Sequence, residues 1–185
     1  MKKKVIYSII IVSVIIILSV AVTYAVYTFS GVVNISGTSE CFDVNYVKGQ
    51  DIGSDSNPAN FVLASTYTEG LSSVIKVNLK DTCTITNGTG TLYLNTDTSV
   101  TSSTILSGKV LKYQVLDGTT PVGSGIVSSA ESIEIYKDIP ITTTVKTITV
   151  YIWLDGNLVT EQNQNEILSS VYKGHISMDI KSGDK

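Results

Sequence analysis

The sequence predicts an all-β protein: an antiparallel β-sandwich or jelly roll that follows one N-terminal transmembrane or signal helix. An uncharged apolar run opens the chain, and the segments after it alternate apolar with polar residues. Threonine, valine, isoleucine and tyrosine are abundant and arginine is absent. Such β-branched and aromatic residues suit a pleated, half-buried surface. The predicted organisation is a signal peptide or membrane anchor over 1–27, a spacer over 28–40 and an extracellular β-sandwich domain over 41–185.

The apolar run extends from Val5 to Tyr27 and contains no charged residue in its 23 positions. At a rise of 1.5 Å per residue it would form a helix of about 34 Å, and a bilayer's hydrocarbon core is about 30 Å thick. Lipid offers no partner for unpaired amide groups, so the run must be helical inside the bilayer. Lysines at 2–4 then place the N-terminus inside and the C-terminus outside.

Two fates of this segment are consistent with the sequence. It is either an uncleaved anchor or a signal peptide that is cut between Ala25 and Val26, where Thr23 and Ala25 supply the small residues before the cut. Both fates contact the membrane, at least transiently. Both place the remainder on the extracellular face of the plasma membrane or in the medium.

Beyond the spacer, period-two alternation predicts a series of strands. The apolar positions that mark them are Phe42, Val44 and Tyr46; Ile75, Val77 and Leu79; Leu111, Tyr113 and Val115; Ile133 and Ile135; Ile148, Val150, Ile152 and Leu154 within 144–154; and Ile176, Met178 and Ile180 within 172–180. Asn87-Gly88, Asp117-Gly118 and Asp155-Gly156-Asn157 indicate turns, since these residues accept positive φ. A turn or two of helix is predicted only within 161–171.

The two cysteines, Cys41 and Cys83, both lie outside the predicted membrane segment. An exported chain with an even number of cysteines permits a disulfide, which on the chain-entropy model is worth roughly 3–4 kcal/mol for a loop of this length. The alternative is a pair of free buried thiols. We expect the disulfide, because an exposed thiol outside the cell is reactive.

No catalytic, cofactor or metal site is predicted. His175 is the only histidine, and its place in a strand is typical of an ordinary sheet residue; neither a GxSxG elbow nor an HExxH motif is present. The segment 51–57 gathers several oxygen ligands that suit calcium, but it lacks the glycine and glutamate spacing of an EF-hand. We therefore expect this segment to be a solvated loop.

Three aromatic residues are candidates for stacking on a ligand such as a sugar ring. Tyr151 and Trp153 share one face of the longest predicted strand, and Tyr113 lies on another strand. A tryptophan in a long apolar strand more often belongs to the core. If the three rings are exposed, they favour a carbohydrate-binding module. If they are buried, they belong to the core.

Charge argues against nucleic acid as a partner. Residues 2–4 hold three of the 13 basic residues and none of the 16 acidic ones, so the rest of the chain carries a net charge of −6. Bidentate recognition of phosphates and bases relies on guanidinium groups, which this chain lacks.

The lysine-rich start, the isoleucine and valine run and the stretch Thr-Tyr-Ala-Val-Tyr-Thr-Phe-Ser at 23–30 resemble the TasA and camelysin-like exported proteins of Gram-positive bacteria. The resemblance covers about the first 30 residues and, as a general pattern, the β domain. It implies a jelly-roll domain outside the cell that in some members assembles into matrix fibres by strand exchange. Ser30 stands where the family often has an acidic residue, and no residues here match the peptidase activity attached to the camelysin branch.

Together these observations predict a non-catalytic structural or adhesive protein of the cell surface or biofilm matrix. Its expected partners are the membrane, further copies of itself, other envelope proteins or glycans. The spacer 28–40 and the threonine-rich stretch 96–104 are the segments expected to pair with a partner strand. A carbohydrate-binding surface module is the alternative, followed by a secreted peptidase.

Overall fold

The computed structural model describes residues 26–31, 41–48, 59–60, 63–99, 101–129, 131–168, 170 and 172–183. The strands of this part are β1 (Val26–Gly31), β2 (Phe42–Lys48), β3 (Ala59–Asn60), β4 (Leu63–Ala64), β5 (Leu71–Leu79), β6 (Gly88–Thr96), β7 (Leu111–Asp117), β8 (Thr120–Ile126), β9 (Ser132–Ile141), β10 (Lys146–Asp155) and β11 (Tyr172–Ser182). Its helices are α1 (Ser103–Ser107) and α2 (Gln164–Leu168), with 3-10 turns at Tyr67–Glu69 and Gly156–Leu158. The prediction of a β-rich domain with little helix is therefore confirmed.

The strands form two sheets. Sheet one has the order β3-β1-β11-β6-β9, and sheet two has the order β2-β5-β10-β7-β8, with β4 added beside β10. Most neighbours are antiparallel, as predicted, but β1 runs parallel to β11 and β4 runs parallel to β10. The short hairpin between β7 and β8 uses the predicted Asp117-Gly118 turn, where Gly118 has a φ of 60°.

Alternation of apolar residues builds the core between the sheets. Strand β5 alternates buried and less buried positions along its whole length, and β6 and β7 repeat the pattern. The inward side chains of both sheets join one buried cluster, in which Leu92, Val115, Ile148 and Met178 are each 0% exposed. Burial of this apolar surface is what holds the two sheets together.

The chain connections give the domain two distinct ends. The first, here called the helix end, holds α1, α2, the Tyr67–Glu69 turn and the beginnings of β1 and β11. The second, here called the disulfide end, holds the turn 118–119, the loop 142–145, the connection 80–87 and the end of β11. Strands of nine to eleven residues separate the two ends, which corresponds to about 30 Å.

Two local predictions need correction. Thr28 to Gly31 do not belong to a spacer, because they form β1 beside β11; the paired strand therefore begins at Val26, 15 residues before the predicted domain boundary at Cys41. Asn87-Gly88 does not form a tight turn between paired strands, since Gly88 begins β6, and β5 and β6 lie in different sheets. No helix within the described ranges is long and apolar enough to cross a membrane, and Ala25 with the rest of the run before it lies outside those ranges.

Candidate functional site

An open cleft with charged lining residues lies at the helix end and is here called the polar cleft. It has a volume of about 650 Å³ and lies among the end of β6, the beginning of β9 and the beginning of β11. Its charged or titratable members are Asp97, Glu131, Lys173 and His175. The cleft therefore brings together both signs of charge, which favours a polar neutral or zwitterionic ligand over a strongly charged one.

Asp97 is a carboxylate of the polar cleft that contacts Ser99 and Lys173. Its Oδ1 accepts hydrogen bonds from the Ser99 hydroxyl at 2.6 Å and the Ser99 amide at 3.2 Å, and its Oδ2 lies 3.4 Å from the Lys173 Nζ. These contacts, with the Ser99 hydroxyl foremost, lower the pKa of Asp97. Asp97 therefore stays ionised at neutral pH.

His175 lies on the outer face of β11, opposite Asn95 of β6 and beside Ser30 of β1. Partial burial lowers the pKa of His175; Asp97 opposes this effect. The imidazole is therefore neutral at pH 7 and is chemically suited to act as a base. The hydroxyl of Ser99, in the same cleft, donates to Asp97.

Among the residues that the structure describes, no three histidine, cysteine, aspartate or glutamate side chains cluster closely enough to hold an ion. The candidate calcium segment 51–57 lies outside the described residues.

The three candidate stacking residues do not form one exposed surface. Tyr113 points into the core with Leu111 and Val115 and is 8% exposed, and Trp153 is also 8% exposed. These two rings offer too little surface to stack on a sugar in this structure. Tyr151 is half-buried, so the expected platform is reduced to one of its three members.

Sequence reasoning missed Tyr67, which covers the outer face of β10. Its ring packs edge-on against Tyr151, with centroids 5.1 Å apart, and is tilted over Trp153 at 6.4 Å. The Trp153 Nε1 is buried and finds no acceptor in the described part of the chain. Tyr67 lies in a 3-10 turn without alternation, so no periodic signal in the sequence could have placed it there.

The cysteines meet as a disulfide at the end opposite the polar cleft. Cys41 and Cys83 are bonded with their Cα atoms 5.6 Å apart, and the bond joins residues 42 positions apart in sequence. The Lys80 amide also donates to the Cys41 carbonyl at 2.8 Å. Through these two links the beginning of β2 is fixed to the segment after β5.

Comparison with known proteins does not assign the chain to a family. No family model matches it, and no curated protein matches it either.

Proposed function

We propose that this chain is an exported, non-catalytic structural or adhesive protein that presents one double-sheet domain at the cell surface or in the extracellular matrix. The segment before β1 directs export, either as a signal peptide cut between Ala25 and Val26 or as a retained anchor. The cysteine pair supports this proposal, because disulfides form and persist in oxidising compartments. The strand order also fits the jelly-roll class that the N-terminal resemblance implies.

The observation that carries the proposal is the sheet edge at β1, which the described strands cover only in part. This strand reads Val-Tyr-Thr-Phe-Ser-Gly and contains neither a charge nor a proline. Strand β3 pairs only with Val26 and Tyr27, so no described strand covers Thr28 to Gly31 on that side. An edge of this kind offers backbone hydrogen-bonding groups to a strand from another molecule.

The opposite edges of the two sheets are protected. Strand β9 carries Pro140, exposed charges at Glu134 and Lys137, and an irregularity at Asp138, whose φ is 53°. Strand β8 carries Pro121 and packs against β9. Proline, charge and bulges are the devices by which edges resist pairing with another chain. The difference favours the β1 edge over the β8 and β9 edges for self-association.

A glutamate at position 28 tests this mode of association. In the register of β1 and β11, Thr28 neighbours Lys173, so Thr28→Glu gains an attractive cross-strand neighbour while it places charge on the edge. We expect the full chain to assemble with increasing concentration and Thr28→Glu to remain in its smallest form, as measured by light scattering after size exclusion. The control is Thr120→Glu, on the exposed part of β8, which should assemble like the parent. Equal assembly of Thr28→Glu and the parent would contradict a role for the β1 edge.

A further inference from the structure

The polar cleft opens onto the outer face of sheet one. In β6, Leu92 and Leu94 are buried in the core. Tyr93 and Asn95 alternate with these leucines and therefore lie on the opposite face of the strand. Residues that are directly opposite each other on neighbouring strands share a face of the sheet. The outer face beside the cleft is therefore formed by side chains of three adjacent strands, β9, β6 and β11.

Two rows of side chains cross this outer face. In the first row, Asn95 lies between Ser132 of β9 and His175 of β11, and all three line the cleft. In the second row, about 7 Å further along β6, Tyr93 lies beside Glu134 of β9. We call these five residues the outer strip. An aromatic ring therefore lies next to the cleft, among hydroxyl, amide, imidazole and carboxylate groups.

Several polar groups of the cleft are accessible to a ligand. Glu131 is exposed, and the side chain of Lys173 is 41% exposed. The side-chain nitrogen of Asn95 donates to the Ser177 hydroxyl at 2.8 Å and to the His175 carbonyl at 3.4 Å. These two bonds use the donors of the Asn95 amide and leave its oxygen as an acceptor. The cleft therefore offers hydrogen-bond donors and acceptors side by side.

The outer face can be recognised only through its side chains. Strand β6 is paired with β9 on one side and with β11 on the other, and β11 is also paired with β1. The backbone groups of β6 and β11 are therefore used within the sheet, so a peptide strand cannot add to them. A ligand that is recognised by side chains alone fits this face better than an extended peptide does.

The charges of the cleft and the outer strip disfavour an anionic ligand. Asp97, Glu131 and Glu134 contribute carboxylates, and Lys173 contributes an ammonium group. An excess of carboxylates repels a phosphate or an acidic sugar. A hydroxyl group both donates and accepts hydrogen bonds, so a neutral ligand that is rich in hydroxyls can satisfy carboxylate, ammonium and amide groups together. The apolar C–H face of a sugar ring also fits against an aromatic ring such as that of Tyr93.

We propose that the polar cleft and the outer strip bind a neutral saccharide. The cleft volume of about 650 Å³ lies within the range of roughly 300–1,000 Å³ that is usual for small-ligand sites. Glu131, Lys173 and His175 bind the hydroxyls of one sugar unit, and the ring of Tyr93 stacks on the next unit along β6. This inference goes beyond the proposed function, because neither export nor pairing at the β1 edge requires a sugar. It also differs from the stacking platform expected from the sequence, which lies on sheet two.

Two side chains that occur once in the chain report on the two sheets. His175, the only histidine, lines the cleft, and Trp153, the only tryptophan, lies in sheet two. The full chain is labelled with nitrogen-15 in both rings, kept in a detergent without a sugar headgroup and titrated with cellotetraose, mannotetraose or chitotetraose. We expect at least one of these saccharides to shift the NMR resonances of the His175 ring and to leave the Trp153 indole resonance unchanged. Because the ligand is neutral, the shift should be the same at low and high salt.

Every other outcome of this titration contradicts the proposed site. His175 resonances that respond to none of the three saccharides would show that the cleft does not bind neutral sugar. A shift of Trp153 without a shift of His175 would place the sugar on sheet two. A response only to tetragalacturonate or only to dialanine would assign the cleft to an acidic sugar or to a zwitterion. None of these results bears on export or on the β1 edge, so the proposed function is tested separately.

Matched tyrosine variants test whether the outer strip contributes to binding. Tyr93 and Tyr151 are both half-buried on the outer face of a sheet, one in each sheet. We expect Tyr93→Ala to weaken the saccharide affinity measured by calorimetry about tenfold. Tyr93→Phe keeps the ring, so it should bind like the parent, as should Tyr151→Ala. A melting temperature near that of the parent checks that each variant is folded, and the His175 titration needs no variant. Equal affinities of Tyr93→Ala and Tyr151→Ala would overturn the role of the outer strip.

Discussion

Two ion pairs join β7 to β10, one at each end of the domain, and they are built in opposite ways. At the helix end Lys112 of β7 binds Asp155 of β10 at 2.5 Å; at the disulfide end Asp117 of β7 binds Lys146 of β10 at 2.6 Å. The side chain of Asp155 is 8% exposed and that of Asp117 is 23% exposed. Breaking the ion pair of Asp155 should therefore cost more free energy of unfolding than breaking that of Asp117, because the Asp155 carboxylate is more deeply buried.

The two carboxylates also differ in their other hydrogen-bond partners. Asp155 also accepts hydrogen bonds from the amide of Asn157 at 3.0 Å and its side chain at 2.9 Å, which fixes the turn that leads into the helix end. Asp117 accepts from the Tyr136 hydroxyl at 3.0 Å and so links sheet two to sheet one. One carboxylate orders a local turn, whereas the other joins the two sheets near an end that is already closed by a disulfide.

The disulfide should give the largest effect at either end. Replacing both Cys41 and Cys83 by serine removes a link across 42 residues, and we expect a loss of about 3–4 kcal/mol in the free energy of unfolding from loop entropy alone. Urea denaturation of the oxidised parent and the variant measures this difference. A loss below about 1 kcal/mol would indicate that hydrogen bonds and packing hold the disulfide end without the bond.

The next largest effect should be the difference in stability between variants of the two carboxylates. We expect Asp155→Asn to cost about 2 kcal/mol and Asp117→Asn about 1 kcal/mol, since exposed ion pairs contribute less than buried ones. The hydrogen bond from Lys112, with those from Asn157, lowers the pKa of Asp155. This stabilisation is present above the unfolded pKa, near 4, and is lost as the pH falls through the lower folded pKa, so the cost of Asp155→Asn should shrink in acid. Equal costs at neutral pH would contradict the comparison.

Alkaline pH should produce the smallest difference between the ends. Burial raises the pKa of Tyr172, at the helix end, to about 12, and burial together with Asp117 raises the pKa of Tyr136 to about 12. A raised folded pKa gives stability that is complete below the unfolded pKa of about 10 and is lost between about pH 10 and 12. Tyr172 is 1% exposed, so Tyr172→Phe should flatten this alkaline loss more than Tyr136→Phe in melting temperatures measured from pH 8 to 11.

The sequence predicted the strands in which apolar and polar residues alternate cleanly. Strands β5, β7, β10 and β11 follow that pattern because one face of each is buried in the core. Strand β8 was not predicted, since Pro121 and its glycines suit an edge strand but read as a loop. Strand β1 was not predicted because it straddles the apolar run and the polar stretch after it.

The contacts that distinguish the two ends could not be predicted from the sequence, because some of them join residues that are far apart in the chain. Asp155 was expected to begin a turn, and it does accept from the Asn157 amide, because that contact is local. Its partner Lys112 lies 43 residues earlier, and only the register of β7 against β10 brings the two together. The burial of Tyr113 could be predicted because it alternates with Leu111 and Val115. The contact of Tyr67 with Trp153 could not, because Tyr67 lies in a turn that has no periodic pattern.

Protease treatment of intact native cells tests the central claim, export of the double-sheet domain, most directly. Cells are exposed to a membrane-impermeant protease, and the chain is followed in the cell, membrane and medium fractions with an antibody against residues 172–183. We expect all of the domain to be either digested on intact cells or recovered from the medium, with Cys41 and Cys83 oxidised. A chain that is fully protected until the cells are lysed, with both thiols free, would contradict the account.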